Sequence, residues 1–249
     1  MIRYREAARA GAISERGMRR ARLAGAALLI LGFSILGLGA LWASPALAQL
    51  CPSPGKAPKV TVTAKPGTLH LDRSLDDTAL KALVQKLERN MHLTRGRPLG
   101  LTVGPISARY RTAIRYRKQQ HGGYCVWLSS AEVSVGFEAL TVYLDRAYEE
   151  GSCEYAAILA HEMTHVRLNR ETVEKYLPQL RRVISNALRA KPSIRVLGVK
   201  RQARDAYLLY LKRRLARTLR VMEAQRRRKN DRIDTPESYR AIRDKCENW

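Results

Sequence analysis

The spacing of hydrophobic positions changes along this chain, and each change marks an element. Leu75, Leu80, Leu83, Val84, Leu87 and Met91 recur at helical spacing, which predicts an amphipathic helix over 75–91, ended by Arg95-Gly-Arg-Pro-Leu-Gly100. Over 109–117 the period falls to two: Tyr110, Thr112, Ile114 and Tyr116 alternate mostly with arginines, as in a half-exposed strand. His121-Gly-Gly123 supplies a turn, and 124–130, 132–137 and 140–144 follow in β-rich residues. Helical spacing returns after Asp145. From 153 to about 190 it predicts a helix that Pro178 either kinks or divides and Lys191-Pro192 ends. Residues 199–229 predict a second long helix with Leu208, Leu211, Leu215, Leu219 and Met222 on one stripe. Asp234-Thr-Pro-Glu237 reads as a capping box that opens a short last helix, with Asp234 as the N-cap. The fold class these periods imply is α+β, a small, mainly antiparallel sheet followed by a helical C-terminal half.

The N-terminal segment has a different pattern. Residues 23–42 carry no charge and follow a stretch with seven arginines (Arg3, Arg5, Arg9, Arg16, Arg19, Arg20 and Arg22), the layout of an export signal. Pro45 and the small residues Ala46 and Ala48 place a cleavage after Ala48. An uncharged run of this length also spans a bilayer core of roughly 30 Å, so an uncleaved anchor is the alternative. Four prolines between 51 and 66 read as a linker leading through Val60-Thr-Val-Thr63 into an edge strand. The expected organisation is a signal or anchor over 1–48, a linker over 49–66 and a folded domain over 67–249.

Composition adds a compartment and a charge. All four cysteines, Cys51, Cys125, Cys153 and Cys246, follow the expected cut, and an even number in an exported chain predicts two disulfides. Three pairings exist. Cys125 with Cys153, flanking the strands, and Cys51 with Cys246, tying the two ends, are the expected ones. Lys and Arg number 46 against 22 Asp and Glu, a net charge of +24, and removing residues 1–48 leaves 39 against 20, or +19. The basic balance therefore belongs to the working domain. Thirteen Lys and Arg lie between Arg195 and Lys229 against only Asp205 and Glu223. This is either a solvated helix face or a surface for anionic lipid, envelope polymer or acidic peptide. Export takes the protein away from nucleic acid, which is not an expected partner.

The chemistry is concentrated in Ala156-Ala-Ile-Leu-Ala-His161-Glu162-Met163-Thr164-His165, an H-E-x-x-H sequence inside a helical run. His161 and His165 are i and i+4, so both imidazoles leave one face of the helix and can share one Zn²⁺. Glu162 beside them is placed to act as general base and then to protonate a leaving amine. Two structural histidines on a half-buried helix are the bland alternative.

These residues resemble the zincin metallopeptidases, which carry the same motif on a helix that follows a small sheet. The strands ending in Tyr124-Cys-Val-Trp-Leu and Leu140-Thr-Val-Tyr-Leu, followed by His161-Glu-Met-Thr-His165, also look like a group of uncharacterised secreted zinc proteases of bacteria. The resemblance covers roughly residues 100–190. It implies a peptide or protein substrate, His161 and His165 as zinc ligands, and Glu162 as general base. Catalytic zinc takes a third protein ligand. Glu171 stands at the metzincin spacing, but Leu168 occupies the position of that family's turning glycine. Glu223 is the alternative: a turn near residue 194 would fold the second long helix back and set residues near 225 beside residue 163, and gluzincin-type zincins take a glutamate from a following helix. Among arginines, Glu223 is equally an ordinary ion-pairing residue. Glu174, His121 and Glu237 are weaker candidates. The expected function is an exported zinc-dependent peptidase, with a non-catalytic zincin-like envelope protein that binds peptide or anionic polymer as the competing class.

Overall fold

In a computed structural model of the chain, residues 51–52, 54–88, 98–247 and 249 are described. The expected signal segment, Met91 and most of the first helix stop lie outside the described residues. Element order is β1 (Lys59–Asp72), α1 (Asp77–Glu88), β2 (Gly100–Val103), β3 (Ile106–Lys118), β4 (Tyr124–Leu144), α2 (Cys153–Ala190), β5 (Ile194–Val196), α3 (Lys200–Asp231) and α4 (Pro236–Arg243). The class is α+β.

The spine of the sheet is β4, 21 residues long. One of its edges pairs with β3 and then β2, both antiparallel; the other pairs with β5, antiparallel, and β1, parallel. The sheet is therefore mixed, and its one parallel pairing runs almost the whole length of β1. β1 begins inside the stretch expected to be linker. Its pattern Val60, Val62, Ala64 buries an apolar face, and an edge position tolerates Pro66, which has no N–H to donate.

Three β segments expected from the sequence are one strand with two slips of side-chain phase. The core takes Val126 and Leu128, then Ala131, Val133, Val135 and Phe137, then Leu140, Val142 and Leu144. The first slip coincides with a register shift opposite Ala113/Ile114. A strand that changes phase reads as separate strands because strict alternation is the only local signal.

Helix α2 starts at Ser152, whose side chain accepts a hydrogen bond from the Tyr155 N–H at 3.1 Å. It runs unbroken through Pro178 as one 38-residue helix, because the buried stripe Val173, Tyr176, Leu180, Ile184 continues across the proline. α3 returns along α2, burying Tyr207, Leu211, Leu215 and Met222 in the same core. Tyr207 and Tyr210 donate to the carbonyls of Lys191 and Ala187 at 2.8 and 2.9 Å and so tie α3 to the end of α2.

The disulfides are Cys51–Cys125 and Cys153–Cys246, not the expected pairs. Because β4 runs unbroken from Tyr124 to Leu144, Cys125 lies at the far end of the sheet from the start of α2, where Cys153 lies, so those two do not meet. Two disulfides indicate an oxidising, exported location. Among the described residues no helix is long and apolar enough to cross a membrane.

Candidate metal centre

The buried stripe of α2 is apolar at both ends and polar in the middle, where it presents Glu162, His165, Asn169 and Thr172. Buried polar groups need partners. Those of Glu162, His165 and Asn169 come from β2, the end of α3 and the segment before α4, while Thr172 donates to the Leu168 carbonyl of its own helix at 2.7 Å.

His161 and His165 leave α2 one turn apart, as the i, i+4 spacing requires, with their Nε2 atoms 3.2 Å apart. Asp234 Oδ1 lies 3.1 Å from Nε2 of His161 and 2.9 Å from Nε2 of His165. The three ligand atoms thus form a nearly equilateral triangle. Bonds of about 2.0–2.2 Å to a tetrahedral metal imply ligand separations of roughly 3.3 Å, so the triangle is close to the size that one ion needs.

Asp234 reaches this position because it is not a helix cap. Thr235 caps α4, accepting from the Ser238 N–H at 3.2 Å, while Ser238 Oγ accepts from the Thr235 N–H at 3.1 Å. Pro236 follows directly at the first helical position. That was the available signal: proline favours the first turn, so the residue before it is the cap and Asp234 is left over.

His165 is held from behind. Its Nδ1 is 2.7 Å from Asn230 Oδ1, and Asn230 Nδ2 donates to Asn169 Oδ1 at 2.9 Å and to the Arg226 carbonyl at 2.7 Å. With its amide nitrogen so engaged, Asn230 offers its oxygen to the ring; Nδ1 carries a proton and Nε2 faces the triangle. Arg226 also donates to Asn169 Oδ1, at 3.1 Å.

The electrostatics favour a cation at the triangle. Burial works against charge on His165, yet the Asp234 hydrogen bond and the Glu162 carboxylate outweigh it and carry its pKa up to about 9. Burial likewise opposes ionisation of Asp234, but hydrogen bonds from both histidines bring it down to about 2.

Glu162 sits under β2. The Thr102 hydroxyl donates to its Oε2 at 2.7 Å, and a Cβ on Gly100 would come within 2.9 Å of its Oε1, so only glycine lets the strand approach this closely. Glu162 is 2% exposed, and burial raises its pKa above the ordinary carboxylate range, with His165 and the Thr102 hydrogen bond pulling the other way. Tyr239, on α4, tilts its ring against His161 at 5.6 Å and brings its hydroxyl to 3.4 Å from Asp234 Oδ1. Burial first, and then the negative charge of Asp234, holds that phenol above its usual range.

Neither glutamate weighed as third ligand joins the group. α2 continues past Leu168, and Glu171 pairs with Arg167 on its exposed side at 3.1 Å. Glu223 makes a two-pronged pair with Arg226, at 2.7 and 2.9 Å, and a further bond to Arg227 at 3.1 Å. The return of α3 is later than a turn near 194 would allow, because 194–196 is spent on β5. Asn230 therefore faces His165, Arg226 faces Asn169, and Glu223 falls short of the histidines. Among the described residues, His161, His165 and Asp234 are the group able to hold a metal ion.

No protein-family model, curated protein or solved structure matches this chain.

Proposed function

We propose that the protein is an exported metal-dependent peptidase, with His161, His165 and Asp234 holding Zn²⁺ and Glu162 acting as general base. The observation that carries this reading is the convergence of Asp234 Oδ1 on two histidine Nε2 atoms beside a buried carboxylate that takes no part in the triangle. Three protein ligands, leaving one position open, are the donor set of catalytic zinc. When bound, such an ion supplies Lewis acidity, which makes water a nucleophile at neutral pH and polarises a carbonyl. Glu162 takes the proton of the attacking water and passes it to the leaving amine; its raised pKa suits both halves of that transfer. Thr102 fixes the carboxylate by its hydrogen bond. Tyr239, kept protonated, donates to the negative charge that develops on the carbonyl oxygen. Among the described residues the outer edge of β2 is unpaired, and an extended substrate adds there as a strand alongside Glu162.

The test is metal content and peptide hydrolysis measured together on wild type, Asp234→Ala, Glu223→Ala and Glu162→Gln. About one zinc per chain is expected, lost in Asp234→Ala and kept in Glu223→Ala. Glu162→Gln should keep the metal and lose roughly 10²- to 10⁴-fold in hydrolysis. A protein that takes up no metal sinks the reading; one that binds zinc but cleaves no peptide in a broad substrate library leaves the zincin-like binding protein in its place.

A further inference from the structure

The end of the sheet opposite the metal centre is built from two segments far apart in sequence. β3 ends by pairing Arg117 with Cys125 and Lys118 with Tyr124, while β5 pairs Arg195 with the same Cys125 and Val196 with the same Tyr124. Partners in register share a face, so Arg117 and Arg195 flank Cys125 on one side of the sheet. The turn after β3 touches the loop after β5: a Cβ on Gly123 would meet the Val196 carbonyl oxygen at 2.4 Å. These two segments, 113–124 and 194–204, hold seven Lys and Arg and no Asp or Glu.

Two aliphatic side chains project from this basic rim. Leu197 is 73% and Val199 61% exposed, the highest values among the large hydrophobic residues described. A single exposed aliphatic residue is ordinary, but two on one loop tip, flanked by cations with no carboxylate between them, form an interfacial pattern. The Cys51–Cys125 disulfide also fixes residue 51 at this end of the sheet.

We propose that this tip docks on an anionic lipid surface, with Leu197 and Val199 entering the headgroup region and Arg117, Lys118, Arg195 and Arg201 meeting lipid phosphates. Charge complementarity selects an anionic bilayer, and the apolar pair separates it from a soluble polyanion, which has nothing to offer Leu197 or Val199. Along α2 the 25 residues from His165 to Ala190 rise about 40 Å, so docking at this end leaves the metal centre clear of the lipid. The inference does not depend on the proposed peptidase activity.

The experiment introduces a tryptophan at the tip and asks whether brominated lipid quenches it. Leu197→Trp and, as a control on exposed α3 surface, Leu209→Trp are compared with wild type in vesicles of phosphatidylglycerol or phosphatidylcholine with brominated chains. The added fluorescence reports residue 197 itself, so the result holds whether or not residues 1–48 remain attached. Quenching at 197 in phosphatidylglycerol, none in phosphatidylcholine and none at 209 is expected. The Arg117→Glu/Arg195→Glu pair and the Leu197→Ser/Val199→Ser pair should each weaken vesicle binding about tenfold or more, with far-UV circular dichroism and disulfides unchanged. No quenching at 197 in either vesicle overturns the proposal. Binding to heparin without quenching overturns it in favour of a soluble polyanion, and equal quenching in both lipids removes the role given to the arginines.

Discussion

Asn230 faces His165 across the α2–α3 contact, its amide oxygen 2.7 Å from the ring Nδ1, and this pairing decides which nitrogen the histidine offers to the metal position. An amide oxygen only accepts, so Nδ1 keeps its proton and Nε2 is the nitrogen that faces His161 and Asp234, the one whose proton a metal ion would displace.

Replacing Asn230 with Ala should therefore weaken zinc binding roughly 10- to 100-fold while leaving the fold intact. Asn230→Asp retains an acceptor and should recover most of that loss. Competition with a chelator of known affinity reads both variants, and equal affinity in Asn230→Ala and wild type would show that the contact does not orient the ring.

Tyr239 makes a separable prediction. Its hydroxyl is 3.4 Å from Asp234 Oδ1, a long contact that gives Asp234 little support, so Tyr239→Phe should retain the metal. If the phenol stabilises the developing oxyanion, kcat should fall by about 10²-fold with KM little changed. A matching loss of zinc would instead assign Tyr239 to the ligand set's support.

Glu223 should matter to stability and not to metal binding. Burial alone would raise its pKa, but the hydrogen bonds and charges of Arg226 and Arg227 outweigh that and leave it below the ordinary value. A carboxyl lowered on folding stabilises the folded state above the unfolded pKa of about 4.3, and that stabilisation is lost as pH falls through the folded value. Glu223→Gln should cost about 1 kcal/mol at pH 7, discounted for partial exposure, and the gap to wild type should close below about pH 4. Urea denaturation of the metal-free proteins at both pH values tests this; a gap that persists in acid assigns the cost to packing.

The Cys153–Cys246 bridge joins the start of the helix that bears the histidines to the segment just after α4, and Asp234 lies just before α4. Cys153→Ser/Cys246→Ser should lower stability by about 2–5 kcal/mol and also weaken metal binding, because the loop carrying Asp234 is then held at one end only. The Cys51–Cys125 bridge clamps the other end of the sheet, and its removal should leave metal affinity unchanged. Thermal melts and zinc titrations of the two double variants separate these effects.

What the sequence determined by itself was local. Helical spacing placed α2 and α3, and the i, i+4 histidines with their intervening glutamate were recognisable because a single helix turn enforces their geometry. The period-two alternation found β3, whereas the Asp234/Glu237 spacing pointed to Asp234 as the cap that Thr235 in fact supplies, with Pro236 directly after it. Only the tertiary structure decided the rest. Asp234 stands 69 residues from His165, and whether it or Glu223 meets the histidines depends on how many residues the chain spends between α2 and α3. Three of them form β5, a strand too short to announce itself, and they carry Glu223 away from the site. The disulfides are decided instead by β4, since one unbroken strand from Tyr124 to Leu144 sets Cys125 far from Cys153. Both outcomes turn on where strands begin, end and pair in the sheet, which residue spacing does not encode.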